Sequence, residues 1–431
     1  MSCGQPCRPA EDAAGIPAQT GRRKDKLQAL LASAGTMVGK EDSQTDCITP
    51  KEAKASAENE SVIAYMDELP FPEKILIIKP SSLGDVISAL PVLHGLRRTF
   101  PCAHIAWLVN AGFADILEGE DDLDEIIPLE RRRFGKICRE WQPTIDFWVF
   151  CNQLRAKKFD WVIDLQGLFR SGFFSYITGA SLRAGFADTR ELARLFYTHP
   201  FKPKATHTID RNITLARSLG VDVRQDDLKL NLSEKIFTFV RSFLEQNKLS
   251  ERQYIVIAHG TRWESKLCPT HHWQKVVGEL VKDLPIVLIG SPEDVQRSAE
   301  IASAIEAKRV IDATGKTTPA EAAGIIGSSA AVVCCDSAAN FIAPAVGVPA
   351  ITLIGPTRVG RTGPYGDRSR AILADIPCQG CLKRTCPHVA VERGFATCMQ
   401  LIEPEKVIET VRAVLYEEHH QENGRQGNVN E

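Results

Sequence analysis

Apolar and polar positions fall along this chain in blocks, and the block lengths change from one part to the next. From Met1 to about Leu69 the residues are mostly polar, rich in Ala, Ser, Glu and Lys, and hold no sustained period. That pattern predicts a disordered tail over residues 1–70. A weak apolar segment at 27–38 follows the basic run 22–26, but Gln28, Ser33 and Gly35 break it and it starts late for an export signal. From Phe71 onward, short apolar runs of strand length alternate with stretches at helical spacing. A first series of predicted strands lies at 75–78, 104–109, 125–127 and 161–165. A second lies at 254–258, 286–289, 310–311, 331–335 and 350–353. The charged helical stretch 233–252 separates them, and a last helix is predicted over 403–416.

Strands that alternate with helices imply parallel sheets joined by right-handed crossovers. Two such series predict an α/β protein of two Rossmann-like domains, over 71–235 and 236–416, with parallel sheets facing across a cleft and a polar tail over 417–431. A length of 431 residues suits two domains plus a tail. The formal net charge of −2 gives no support to bulk nucleic-acid binding, and no nucleic-acid partner is expected. Apolar runs fall well short of the ~20 residues that span a bilayer. Thirteen cysteines, most of them scattered through apolar stretches, suit a reducing, cytoplasmic compartment better than a disulfide framework.

Candidate chemistry begins at residues 74–93, KILIIKPSSLGDVISALPVL. The apolar strand is stopped by Pro80, Ser81 and Ser82, Gly84 permits a tight turn, and Val86, Leu90, Leu93 and Leu96 then recur at helical spacing with Pro91 as a kink. Asp85 therefore sits at a strand-to-helix junction, where free amides and the helix dipole favour a charged carboxylate. The C-terminal end of a parallel strand is also where open α/β sheets take ligands. A plain helix-capping role for Ser82 or Asp85 is the other reading.

The second series opens with HGTRWESK at 259–266, directly after a predicted strand, so Lys266 can offer a point charge to a phosphate. At 332–357 a strand ends at Asp336 and small residues lead into a helix, which lets backbone amides approach a diphosphate. GPTRVGRTGPYG at 355–366 is a long Gly/Pro loop with two arginines. Several decoys fall away. GKTT at 315–318 lacks the first glycine of a phosphate-binding loop, no GxGxxG follows either first strand, and no GxSxG is present. His271 and His272 lie beside Trp273 at a helix start and read as packing or exposed residues rather than metal ligands.

Taken together, these motifs resemble the lipopolysaccharide heptosyltransferases, inverting glycosyltransferases of GT-B fold that use ADP-heptose, over about Lys74 to Leu415. The resemblance rests on KPSSLGDVISALPVL, VIDLQGLFRSG (162–172), GFADTRELARLFYTH (185–199), HTIDRN (207–212), HGTRWESK, the DSAAN helix start and GPTRVGRTGPYG. It implies Asp85 as general base for the acceptor hydroxyl and Lys266 as the phosphate-binding lysine, the pair carrying catalysis without a required cofactor or divalent cation. For the donor, a nucleotide-diphosphate sugar, it implies Thr261 and Arg262, Asp336, Ser337 and Ala338 at the diphosphate, and Glu293 and Asp294 near the ribose. Thr317 and Thr318 would close over the adenine. For an anionic lipid-linked acceptor it implies Arg132, Arg133 and Arg170 beside Ser82 and Gly84. Peripheral contact with the inner face of the cytoplasmic membrane follows from such an acceptor.

Four positions depart from the family pattern: Ala338 replaces a glycine, Phe341 a histidine, Cys268 a tryptophan and Asn110 a glutamate. They leave two other readings, a transferase using another nucleotide sugar and a nucleotide-binding relative without catalysis. Separately, Cys378, Cys381, Cys386 and Cys398 form C-x2-C-x4-C-x11-C with His388 nearby, a spacing open to a structural zinc site or to free thiols.

Overall fold

The structure is a computed structural model describing residues 71–135, 139–189, 191–305, 309–388 and 395–427. The predicted N-terminal tail lies outside the described residues. The first half of the fold is a parallel sheet of β1 (Lys74–Ile78), β2 (His104–Asn110), β3 (Glu125–Leu129), β4 (Trp161–Asp164), β5 (Leu182–Phe186) and β6 (His199–Phe201). The second is a parallel sheet of β7 (Ile255–Ala258), β8 (Ile286–Ile289), β9 (Val310–Asp312), β10 (Ala331–Cys335), β11 (Ala350–Leu353) and β12 (Arg370–Ile372). Their spatial orders are β3-β2-β1-β4-β5-β6 and β12-β11-β10-β7-β8-β9, the same winding in each half. In both, the order reverses between the first and fourth strands, which opens a crevice at the strands' C-terminal ends.

All nine predicted strands are present. The central ones are apolar throughout because helices cover both faces: Ile75, Leu76, Ile77 and Ile78 are fully buried, as are Ile255, Val256 and Ile257. Three strands were not predicted. β5 is interrupted by Arg183 and Gly185, whereas β6 and β12 are three-residue edge strands, one of them holding Pro200.

The helix predicted after β1 is two helices, α1 (Leu83–Ile87) and α2 (Leu90–Thr99). Pro91 lies in the first turn of α2, where a missing N–H removes no intrahelical bond, so the chain restarts instead of kinking. The remaining longer helices of the first half are α3 (Trp141–Ala156), α4 (Phe169–Ile177) and α5 (Thr208–Arg217). Then follow α6 (Glu234–Asn247), α7 (Thr270–Leu280), α8 (Val295–Ser303), α9 (Pro319–Gly327), α10 (Ala339–Ala345) and α11 (Pro404–Gly427). The last helix packs on α7 and on the β10–β12 side of the second sheet. It runs on to Gly427 through much of the predicted polar tail, with Glu417 and Glu418 paired to Arg370 and Arg368.

One apolar cluster runs through both halves: it joins Ile75, Ile77 and Val86 to Val256, Val287 and Phe341.

Candidate active site

The crevice of the first sheet is built on the loops after β1 and β4. Asp85 is the third residue of α1, and its Oδ2 accepts hydrogen bonds from the Ser82 amide at 2.8 Å and the Ser82 hydroxyl at 2.7 Å. Those bonds fix the carboxylate's rotamer and leave Oδ1 directed toward Lys79 Nζ, 3.9 Å away. Lys79 turns back under the loop, is only 5% exposed, and donates to the Leu165 carbonyl at 2.6 Å. Burial pushes its ammonium below the ordinary lysine value, and the negative charges of Asp85 and Asp164 oppose that push. Asp164 closes β4 and is fully buried. Its Oδ1 accepts the Gln166 and Gly167 amides, and its Oδ2 accepts the Tyr197 hydroxyl at 2.6 Å. Burial raises the Asp164 carboxyl above the usual range, with the Tyr197 and Ser171 hydroxyls and the two amides acting the other way.

The equivalent crevice of the second sheet lies after β7 and β10. Lys266 Nζ donates to Asp336 Oδ2 at 2.9 Å and sits 4.7 Å from the centre of the Trp263 ring, which backs the ammonium with a π face. Asp336 is 4% exposed and also accepts the hydroxyls of Thr357 at 2.5 Å and Thr362 at 3.3 Å. Its carboxylate therefore serves the lysine and the Gly/Pro loop rather than capping α10, whose start at Ala338 has no side-chain cap. Thr261 approaches the Asp336 carbonyl at 3.4 Å, and Arg262 is exposed. Asn340 holds the far side of the loop, donating to the Thr362 carbonyl and accepting from Thr352.

The two crevices meet. A Cβ added to Gly84 would stand 2.9 Å from Phe341 Cδ2 and 3.4 Å from Ala338 Cα, so α1 abuts the start of α10. Asp85 is thus one residue from a contact with Ala338, and Ala338 is two residues from the aspartate that binds Lys266. A second set of bonds ties the halves together. His207 shares a 3.1 Å hydrogen bond with the Gly363 carbonyl through Nε2, Thr208 donates to the Arg361 carbonyl at 3.0 Å, and Tyr365 donates to Asp210 at 2.7 Å. His207 Nδ1 accepts the Ile209 amide, which places the ring proton on Nε2 facing Gly363. Within the first half, Asn212 donates to the Ser88 carbonyl and hydroxyl at the end of α1, which links the helix bearing these residues to the Asp85 loop.

Other predicted residues are spread around this junction. Asp294 lies against Gly260 but uses Oδ2 to accept from the Ser291 amide and hydroxyl, and Glu293 is exposed. Thr318 caps α9 by accepting the Glu321 amide; Thr317 precedes it, and the Ala320 amide donates to Asp115 of the first half. In the basic run, Arg133 pairs with Asp146 and the Arg132 side chain lies outside the described residues. Arg131, to which the sequence assigned nothing, donates to the Ser81 hydroxyl at 3.3 Å. Arg170 is exposed at the start of α4.

Sequence reasoning also missed Lys79, Asp164, His207 and Thr357. Each stands in a quoted motif, and the available signal was a charged residue directly closing an apolar strand, as with Lys79 and Asp164. His259 was missed too: it is fully buried, neither ring nitrogen has a hydrogen-bond partner among the described residues, and burial lowers its pKa to about 4.

The four clustered cysteines line one small cavity of about 40 Å³ together with His388 and Lys383. Among the described residues, no group of three or more His, Cys, Asp or Glu is arranged to hold a metal ion, so the zinc reading gains no support. All four thiols are free. No helix of the described residues is long and apolar enough to cross a membrane.

Two doubly wound halves, with an acidic residue at one switch point and a lysine–aspartate pair at the other, define a GT-B glycosyltransferase. Comparison with known proteins narrows the class. A family described as glycosyltransferase family 9 (heptosyltransferase) matches residues 147–391, and the chain belongs to that family. It is 29% identical over 362 residues to lipopolysaccharide heptosyltransferase 1 of Pseudomonas aeruginosa, covering 79% of this chain and 98% of that one. The corresponding Escherichia coli K12 protein is 28% identical over 300 residues, covering 68% and 91%. Among solved structures, E. coli heptosyltransferase WaaC with ADP superposes with a TM-score of 0.62 at 26% identity, over 79% of this chain and 99% of that one. E. coli ADP-heptose lps heptosyltransferase II, at 24% identity and a TM-score of 0.63 over 80% and 99% of the two chains, shares the fold.

Proposed function

We propose that this chain transfers a heptose, or a related sugar, from ADP-heptose to an anionic lipid-linked acceptor such as the Kdo-lipid A inner core of lipopolysaccharide, with inversion at the anomeric carbon. The observation that carries the reading is the meeting of Gly84 with Ala338, which brings the Asp85 loop and the Lys266–Asp336 pair to one junction. Asp85 takes the proton of the acceptor hydroxyl as its oxygen attacks the anomeric carbon. The C–O bond to the diphosphate breaks on the opposite side, and ADP carries off the electron pair. A carboxylate suffices as base because proton transfer completes only as the new glycosidic bond forms. Lys266, with Thr261, Arg262 and the Ser337 and Ala338 amides, meets the charge growing on the diphosphate, so no divalent cation is needed. Glu293 and Asp294 face the ribose, and Thr317 and Thr318 the adenine. Arg132, Arg133 and Arg170 meet the acceptor's negative groups beside Ser82 and Gly84.

The names of the relatives support the donor class, since one solved neighbour is E. coli WaaC with ADP-2-deoxy-2-fluoro heptose. Phe341, a departure from the family pattern, packs against Gly84. The enzyme works in the cytoplasm, at the inner face of the membrane that holds its acceptor.

The test is Asp85→Ala, assayed with ADP-heptose and Kdo-lipid A by mass spectrometry alongside ADP titration. Loss of transfer with ADP binding retained is expected; near-normal turnover would remove Asp85 from the mechanism. Transfer from UDP- or GDP-sugars but not ADP-heptose would move the donor assignment to another nucleotide.

A further inference from the structure

Helix α3 is apolar on two sides. It buries Pro143, Cys151 and Leu154 against the first sheet. Its outer side carries Trp141, Ile145, Trp148 and Val149, a stripe at helical spacing, and the two tryptophans are 79% and 54% exposed. The stripe continues onto the neighbouring element through touching rings. Trp148 meets Phe147 at 5.8 Å, Phe147 stacks on Phe173 at 6.0 Å, and Phe173 meets Phe196 at 6.4 Å. Phe196 in turn contacts Phe169 and Tyr176, both more than half exposed. Isolated exposed apolar residues are ordinary, but a connected aromatic surface marks a contact site.

Its charge and position say what the contact is. Arg155, Arg170 and Arg194 are exposed along it. Two acidic groups beside them are engaged, Asp146 by Arg133 and Glu191 by the Phe169 amide. Helix N-termini lie at the C-terminal edge of a parallel sheet, so the starts of α3 and α4 flank the Asp85 crevice. Gln166, just before α4, accepts the Ser81 amide at 3.3 Å, which ties the start of α4 to the Asp85 loop. Arg131, in the short helical turn that follows β3, donates to the Ser81 hydroxyl on the same edge of the sheet.

We propose that the outer face of α3 and α4 is the surface by which this chain lies on a bilayer bearing anionic headgroups. Tryptophans favour the headgroup level, where an amphipathic ring can be apolar on one side and wet on the other. Interleaved arginines add attraction to negative lipids. The inference rests on the lipid-linked acceptor proposed above and adds where the membrane sits, beside the mouth that admits that acceptor.

The experiment is flotation of the full chain with vesicles of phosphatidylethanolamine and phosphatidylglycerol, against vesicles of phosphatidylcholine alone. Neither donor nor acceptor is present, so the outcome is independent of whether the transfer reaction has been assigned correctly. The wild type is expected to float with the anionic vesicles and to be released by salt. The Trp141→Gln/Trp148→Gln variant, confirmed as folded by its thermal transition, should partition at least about tenfold less. Arg155→Gln/Arg194→Gln should lose the preference for anionic over neutral vesicles. The proposal is overturned if the wild type stays in the aqueous fraction, or if the tryptophan variant floats as well as the wild type. Sedimentation that shows a wild-type dimer and a monomeric tryptophan variant would also overturn it, assigning the face to a second copy of the chain.

Discussion

Gly84 touches Phe341 across the join between the two halves, with no room for a side chain between them: a methyl on Gly84 would stand 2.9 Å from Phe341 Cδ2. Phe341 is 7% exposed and belongs to the shared core, so it has little freedom to retreat. Gly84→Ala should therefore cost about 1–3 kcal/mol of stability through overpacking. Adding Phe341→Leu should recover part of that cost, a coupling readable by denaturant titration of both single variants and the double. Strict additivity would mean the two residues do not press on each other.

Lys79 is a buried cation beside two carboxylates, Asp85 and Asp164. Lys79→Met removes the donor to the Leu165 carbonyl and leaves the buried Asp164 without its neighbouring cation. The variant should lose about 1–3 kcal/mol of stability in denaturant titration. An unchanged unfolding midpoint would show that neither group depends on the lysine.

Lys266 holds its geometry through Asp336 and Trp263. A charge-assisted bond to a phosphate is worth about 1.5–3 kcal/mol, so Lys266→Met should weaken ADP binding by roughly ten- to a hundredfold in calorimetric titration. Unaltered ADP affinity would remove the lysine from the donor site.

His259 ties stability to pH. Its pKa falls from 6.5 to about 4, chiefly by burial and against the charge of Asp294, so the folded state holds the ring neutral. Between those two values the unfolded chain binds a proton that the folded chain does not. The stabilisation is complete above about pH 6.5 and is lost as the pH falls toward 4, with a ceiling of about 3 kcal/mol. His259→Leu should flatten that part of the profile, measured as the difference between the two proteins at pH 7.5 and pH 5.

The pattern of strands was legible because the central ones are buried on both faces and spell it out in unbroken Ile, Val and Leu. β5, β6 and β12 were not: β6 and β12 are short edge strands that need no apolar face and can hold Pro200, and β5, though internal, is broken by Arg183 and Gly185. Asp85 and Lys266 stood out as charged residues in the segments that follow apolar strands. Lys79 occupies a similar position, yet a lysine leaving a strand reads as solvated. Its partner carbonyl, Leu165, comes from another strand's loop. The bonds of His207, Thr208 and Asp210 were equally hidden, because their partners lie more than 150 residues further along. Local spacing carries no record of such pairings. Arg131 shows the limit at single-residue scale: the basic run was recognised, but which of its members faces Ser81 depends on the phase of one short helical turn.

The apolar cluster joining Ile75 to Val256 through Phe341 bears on how the molecule comes apart. A cut in the linking segment would strip hydrocarbon from both fragments, so neither should persist alone as a soluble piece. Heating should accordingly give a single calorimetric peak, with enthalpy matching the van't Hoff value, in place of two separable meltings.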